Sequence, residues 1–173
     1  MSRHYSAALP IAFVLLRILV VLNWLMAAAI LALLLAMPHE QWIMQAFSLM
    51  PSPDTDRLIM AMRAIATLGL VAIPLNHVVL TRLLAMVRTV RVGDPFVAAN
   101  AGRLQVIAWV LLTLQVISLV IGGIAKAVST PAHPLHLDAG FSPTGWLAVL
   151  LTFVLAQVFA EGTLMRADLE GTV

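Results

Sequence analysis

The chain contains no cysteine. That absence excludes disulfides, thiolate zinc sites, cysteine-ligated iron–sulfur clusters and cysteine nucleophiles together. Charge is nearly as scarce, since Asp, Glu, Lys and Arg make up 10% of the 173 residues, against about a quarter in a soluble domain. Enzyme signatures are missing as well: there is no G-x-S-x-G, no H-E-x-x-H, no P-loop and no pair of carboxylates within an apolar run. Ser118 has no acid–base pair within reach by sequence. Haem lacks ligands, because His77 is the only histidine inside an apolar run, and a haem held across a bundle needs axial ligands that face each other. The expectation is a protein that is not an enzyme and carries no cofactor.

What is present is apolar. Residues of that kind make up 62% of the chain, with a mean hydropathy of +1.02, which marks a membrane protein. The expected spans are about residues 11–37, 58–81, 104–125 and 144–160, in a single domain over 1–173. The fold class is all-α, a four-helix transmembrane bundle. Ile18–Met37 has no charge and is closed by Pro38. It is too long for the apolar region of a signal peptide, and no cleavage site follows it. Ala64–Thr81 lies between Arg63 and Arg82, Leu104–Ala125 between Arg103 and Lys126, and the last run goes from about Trp146 to Ala160, before Glu161.

Four spans put both termini on one side. Arg3, Arg17, Arg82, Arg88, Arg91, Arg103 and Arg166 fall on that side, and Arg57, Arg63 and Lys126 on the other. The bias of basic residues predicts that both termini and the connection between helices 2 and 3 are cytoplasmic.

The helices should exceed the membrane. From Asp54 to Val90 only Gly69 and Pro74 interrupt good helix formers, Gly93 then stops the helix, and Asp94-Pro95 reads as an N-cap with proline at the first helical position. Helix 3 is expected from Pro95 to about Lys126. About eight residues are left over on each side of the turn, on the order of 12 Å, so the hairpin should protrude. On the outer side, Trp42, Ile43, Ala46, Phe47 and Met50 have helical spacing, as in a short interfacial helix. Ser142-Pro143 should open helix 4. Ala148, Thr152, Ala156 and Ala160 form a small-residue stripe along it. That stripe could pack within the chain or between two copies, so a homodimer is open.

Three groups of residues could carry function. Asn23, Asn76, His77 and Gln157 could meet in one polar layer inside the membrane, as a ligand or proton site helped by Pro74, or simply as hydrogen-bonding glue between helices. His133, His136 and Asp138 have metal-ligand chemistry, but Pro131 and Pro134 make their loop extended, so plain exposed polar residues explain them as well. The basic hairpin with Arg82, Arg88 and Arg91 could bind anionic membrane lipids or dock a cytosolic protein. The hairpin's four arginines, Arg103 included, without interleaved aromatics do not suit direct nucleic-acid binding. These alternatives keep a small transporter or a ligand- or metal-sensing bundle open beside the docking reading.

Two segments go further. Gly93-Asp94-Pro95-Phe96, with Asn100-Ala101 and Arg103-Leu104 after it, and the run from Phe153 to Gly162 leading to Asp168-Leu169-Glu170-Gly171-Thr172-Val173, resemble the bacterial four-span membrane family called domain of unknown function 2975, over essentially the whole chain. The resemblance implies a bacterial inner-membrane protein. Members lie near a gene for a small Cro/C1-type helix-turn-helix regulator, which implies that the membrane protein binds, sequesters or modulates that cytosolic regulator. Arg82, Arg88, Arg91, Asp94, Phe96, Asn100 and Arg103 would then supply one docking surface, and Arg166, Asp168 and Glu170 a second. Pro74 and Gly122-Gly123 are the expected hinge positions.

Overall fold

Each apolar run forms a helix longer than a bilayer requires. The computed structural model describes residues 8–36, 53–130 and 137–171, with side chains over 9–36, 55–130 and 137–166. Its helices are α1 (Ala8–Ala36), α2 (Pro53–Val92), α3 (Ala98–Val128) and α4 (Pro143–Gly171). There is no strand among the described residues. All four are long and apolar enough to cross a membrane, and the chain is a multi-pass membrane protein. At 40 residues, α2 is about 60 Å long, twice the hydrocarbon thickness of about 30 Å.

The helix signals hold in most places. Gly93 ends α2, Pro143 is the first residue of α4, and α2 runs through Pro74 without a break. One boundary differs: α3 begins at Ala98, three residues after the expected Pro95. The Asp94 amide closes α2 by donating to the Thr89 carbonyl at 3.1 Å, and the Asp94 carboxylate pairs with Arg166. Asp94 thus belongs to the end of α2 and lies four residues before the first residue of α3, so it does not cap that helix. Helix α4 also continues well past Ala160, to Gly171. The expected interfacial helix within 39–50 lies outside the described residues.

Threonine hydroxyls inside the helices satisfy themselves locally. Thr67, Thr81, Thr113 and Thr152 donate to the carbonyls of Arg63, His77, Trp109 and Ala148, one turn back, at 2.7 to 3.0 Å. Such bonds let a hydroxyl lie in hydrocarbon without an orphaned polar group.

The chain divides into two compact units, with the division in α2 falling between Pro74 and Leu75. The first holds residues 1–23, 75–113 and 143–173. Its buried side chains include Leu104, Ile107, Ala108, Val149 and Ala156, and Trp109 meets Phe153 edge to face at 5.3 Å. Ala156 is the buried member of the small-residue stripe, whereas Ala148 is exposed. The second unit holds residues 24–74 and 114–142. There Leu58 and Ile59 pack with Leu33, Leu34, Met62, Ala66 and Val128, beside an apolar cavity of about 310 Å³.

Candidate functional site

The α2–α3 turn in the first unit is braced at every residue that bends it. Gly93 has φ +91°, a conformation glycine adopts without a Cβ clash. Its amide donates to the Val90 carbonyl at 3.0 Å, and with the Asp94–Thr89 bond this completes a Schellman end to α2. Asn100 then ties the two helices together from a fully buried position. Its Nδ2 donates to Thr89 Oγ1 at 2.7 Å and to the Pro95 carbonyl at 2.8 Å, while its Oδ1 accepts from Arg103 Nη1 at 2.7 Å. Thr89 passes its own proton to the Met86 carbonyl at 2.7 Å. Both amide protons and the amide oxygen of Asn100 are thus used, as a buried amide requires.

One face of α4 holds this turn from outside. The Phe96 ring lies 5.3 Å from that of Phe159, centroid to centroid. Gly162 makes room for it, since a Cβ there would stand 3.1 Å from Phe96 Cδ1. Arg166 ion-pairs with Asp94, both side chains partly exposed. Phe159, Gly162 and Arg166 recur at helical spacing, so one stripe of α4 meets the turn. This is why α4 outlasts its apolar run.

The expected docking residues therefore divide. Asn100 is buried and braces the turn, so it offers no surface to a partner; this corrects its place in the docking set. Asp94, Phe96, Arg103 and Arg166 are engaged within the chain, with Phe96 still 45% exposed. Arg82, Arg88 and Arg91 are exposed. Asp168 and Glu170 lie in the last turns of α4, and their side chains are outside the described residues. Exposed apolar residues surround the brace: Val92 is 84% exposed, Leu164 66% and Met165 61%.

The other groups fare differently. Asn23 and His77 are half-buried, and Asn76 is exposed. Gln157 is exposed and donates its amide to Glu161 on its own helix at 3.1 Å. His133 and His136 lie outside the described residues, and Asp138 is exposed. Among the described residues no group of three metal-ligating side chains is present. Gly122 packs against the segment after α3: a Cβ there would stand 2.6 Å from the Gly140 Cα.

Sequence reasoning missed two features. Ser118 Oγ accepts from the Gly140 amide at 3.2 Å, one turn before Gly122, so α3 pins the segment that follows it. The S-x-x-x-G spacing was the available signal. Phe13 collects three arginines around its ring, Arg17, Arg88 and Arg91. Only the one-turn spacing of Phe13 and Arg17 hinted at that.

A family model described as Protein of unknown function (DUF2975) matches residues 46–173. No curated protein and no solved structure matches the chain.

Proposed function

We propose, for a chain that belongs to the family described as Protein of unknown function (DUF2975), that it is a non-enzymatic protein of the bacterial inner membrane whose α2–α3 turn docks a small cytosolic helix-turn-helix regulator. Both termini and the turn are cytoplasmic in this reading, which the seven-to-three distribution of basic residues supports. Gly93 lies eleven residues past Arg82, about 16 Å along α2, which is beyond the headgroup layer.

The observation that carries the reading is a rigid turn surrounded by uncovered apolar side chains. Val92, Leu164 and Met165 stand exposed beside the Asp94–Arg166 pair, where lipid tails do not reach. An apolar patch held in water fits a protein partner. Because the turn is already braced, binding orders little that was free, which favours affinity. A regulator held there has its DNA-reading helix removed from the chromosome or masked, so capture alone alters transcription. The resemblance supplies the partner's class.

Co-purification from native membranes in mild detergent, with mass-spectrometric identification, tests it. Wild type should recover one small helix-turn-helix protein, and a Val92→Glu, Met165→Glu variant should lose it while remaining in the membrane. Equal recovery by the variant, or no helix-turn-helix protein with wild type, would sink the reading.

A further inference from the structure

Three guanidinium groups share one phenyl ring. The guanidinium carbons of Arg17, Arg91 and Arg88 lie 5.0, 5.2 and 5.8 Å from the centroid of the Phe13 ring. Each contact alone is an ordinary attraction between a cation and the face of a ring. Together they gather three like charges from two helices at one place, and like charges repel. Among the described residues no carboxylate pairs with any of the three, and the turn's own carboxylate, Asp94, is held by Arg166. All three arginines are exposed. Three uncompensated guanidinium groups at one place attract an anion.

Depth says which anion. Arg17 stands at the start of the charge-free stretch of α1, and Phe13 is one turn, about 6 Å, beyond it; Arg88 is six residues, about 9 Å, beyond Arg82. The headgroup layer extends about 5 to 8 Å past the hydrocarbon on each side. Arg91 is nine residues, about 14 Å, beyond Arg82, so the α2 backbone has left the headgroup layer there, and it is the convergence of all three guanidinium groups on the Phe13 ring, about 6 Å past Arg17, that holds them level with lipid phosphates. Below Arg17, α1 exposes Ile18, Val21, Leu22 and Leu25, each about half or more accessible, a surface along which acyl chains can lie. A guanidinium beside a ring keeps N–H edges for two-point contact with phosphate oxygens.

We infer that Phe13, Arg17, Arg88 and Arg91 form a binding site for the phosphate of an anionic diacylphospholipid. Phe13 positions the guanidinium groups, and the arginines neutralise the phosphate. The site ties α1 to α2 through the lipid, beneath the turn. It stands independently of the docking reading, because its test needs no soluble partner.

Native mass spectrometry of the full-length protein in detergent decides it, titrating phosphatidylglycerol, phosphatidylcholine with the same acyl chains, and inorganic phosphate. Wild type should prefer phosphatidylglycerol. The triple variant R17Q, R88Q, R91Q should lose affinity for it by on the order of 100-fold, from three lost phosphate contacts. Phe13→Leu, which keeps every charge, should lose about tenfold. Arg82→Gln removes a charge away from the ring and should leave the preference unchanged. Should the triple variant fail to fold, Arg88→Gln alone gives the same comparison. Equal binding of the two lipids by wild type, or undiminished preference in the arginine variants, would overturn the site. An equal loss in Arg82→Gln would replace it with diffuse surface charge, and full competition by inorganic phosphate would replace the lipid with a soluble anion.

Discussion

The two connections on either side of α3 are fixed by opposite means. Before α3, the turn of residues 93–97 is held by side chains: a buried amide, an aromatic pair and an ion pair. After α3, the segment of residues 137–142 is held by backbone approach, with Gly140 against Gly122 and the Ser118 hydroxyl between them. A side-chain brace can present exposed residues and tolerate charge at its edge. A backbone brace admits nothing larger than hydrogen at its centre. The comparison teaches that α3 is met by polar side-chain bonds at one end and by close backbone contact at the other.

The largest effect that separates the two is expected at Asn100. Asn100→Leu leaves the Pro95 carbonyl and the Arg103 guanidinium without their buried partner, at a cost of about 2 to 4 kcal/mol. Thermal unfolding in detergent should fall accordingly, and limited proteolysis should open the turn before any helix. An unchanged melting temperature would show that the turn is not braced by this residue.

Gly122→Ala comes next. A Cβ at 2.6 Å from backbone forces the segment at 139–140 to shift, costing about 1 to 3 kcal/mol. Gly123→Ala, one residue on, meets open space and should be neutral or stabilising by up to about 1 kcal/mol. A common loss at both positions would mean that helix flexibility, not close approach, is what the glycines provide.

The Asp94–Arg166 pair should matter least for stability. Both side chains are nearly half exposed, so water and salt screen the pair, and Arg166→Gln should cost about 0 to 1 kcal/mol, less at high ionic strength. A larger loss that persists in high salt would move the brace from Asn100 to the ion pair.

Much of the fold was legible. Four charge-free runs, Gly93 as a stop and Ser142-Pro143 as a start are local signals, and each depends only on its own neighbours. The start of α3 was misread because Asp94-Pro95 has the composition of a cap, while the Asp94 carboxylate is taken by Arg166, 72 positions away in sequence. No local pattern encodes that. Phe13 was hidden for a related reason: within an apolar run, a phenylalanine that collects arginines looks the same as one that faces lipid. The proposed docking surface was half legible, since sequence shows which residues are charged but not that Asn100 is buried or that Val92 is bare.

The absence of cysteine permits a direct test of where that surface faces. Val92→Cys would be the sole thiol in the chain and 84% exposed at wild type, and Phe141→Cys, at a residue 72% exposed on the connection after α3, gives the opposite reference. A membrane-impermeant maleimide applied to intact spheroplasts should label Phe141→Cys and spare Val92→Cys until the inner membrane is opened. Labelling of Val92→Cys in intact spheroplasts would place the turn outside the cell, and no account in which it docks a cytosolic regulator would survive that result.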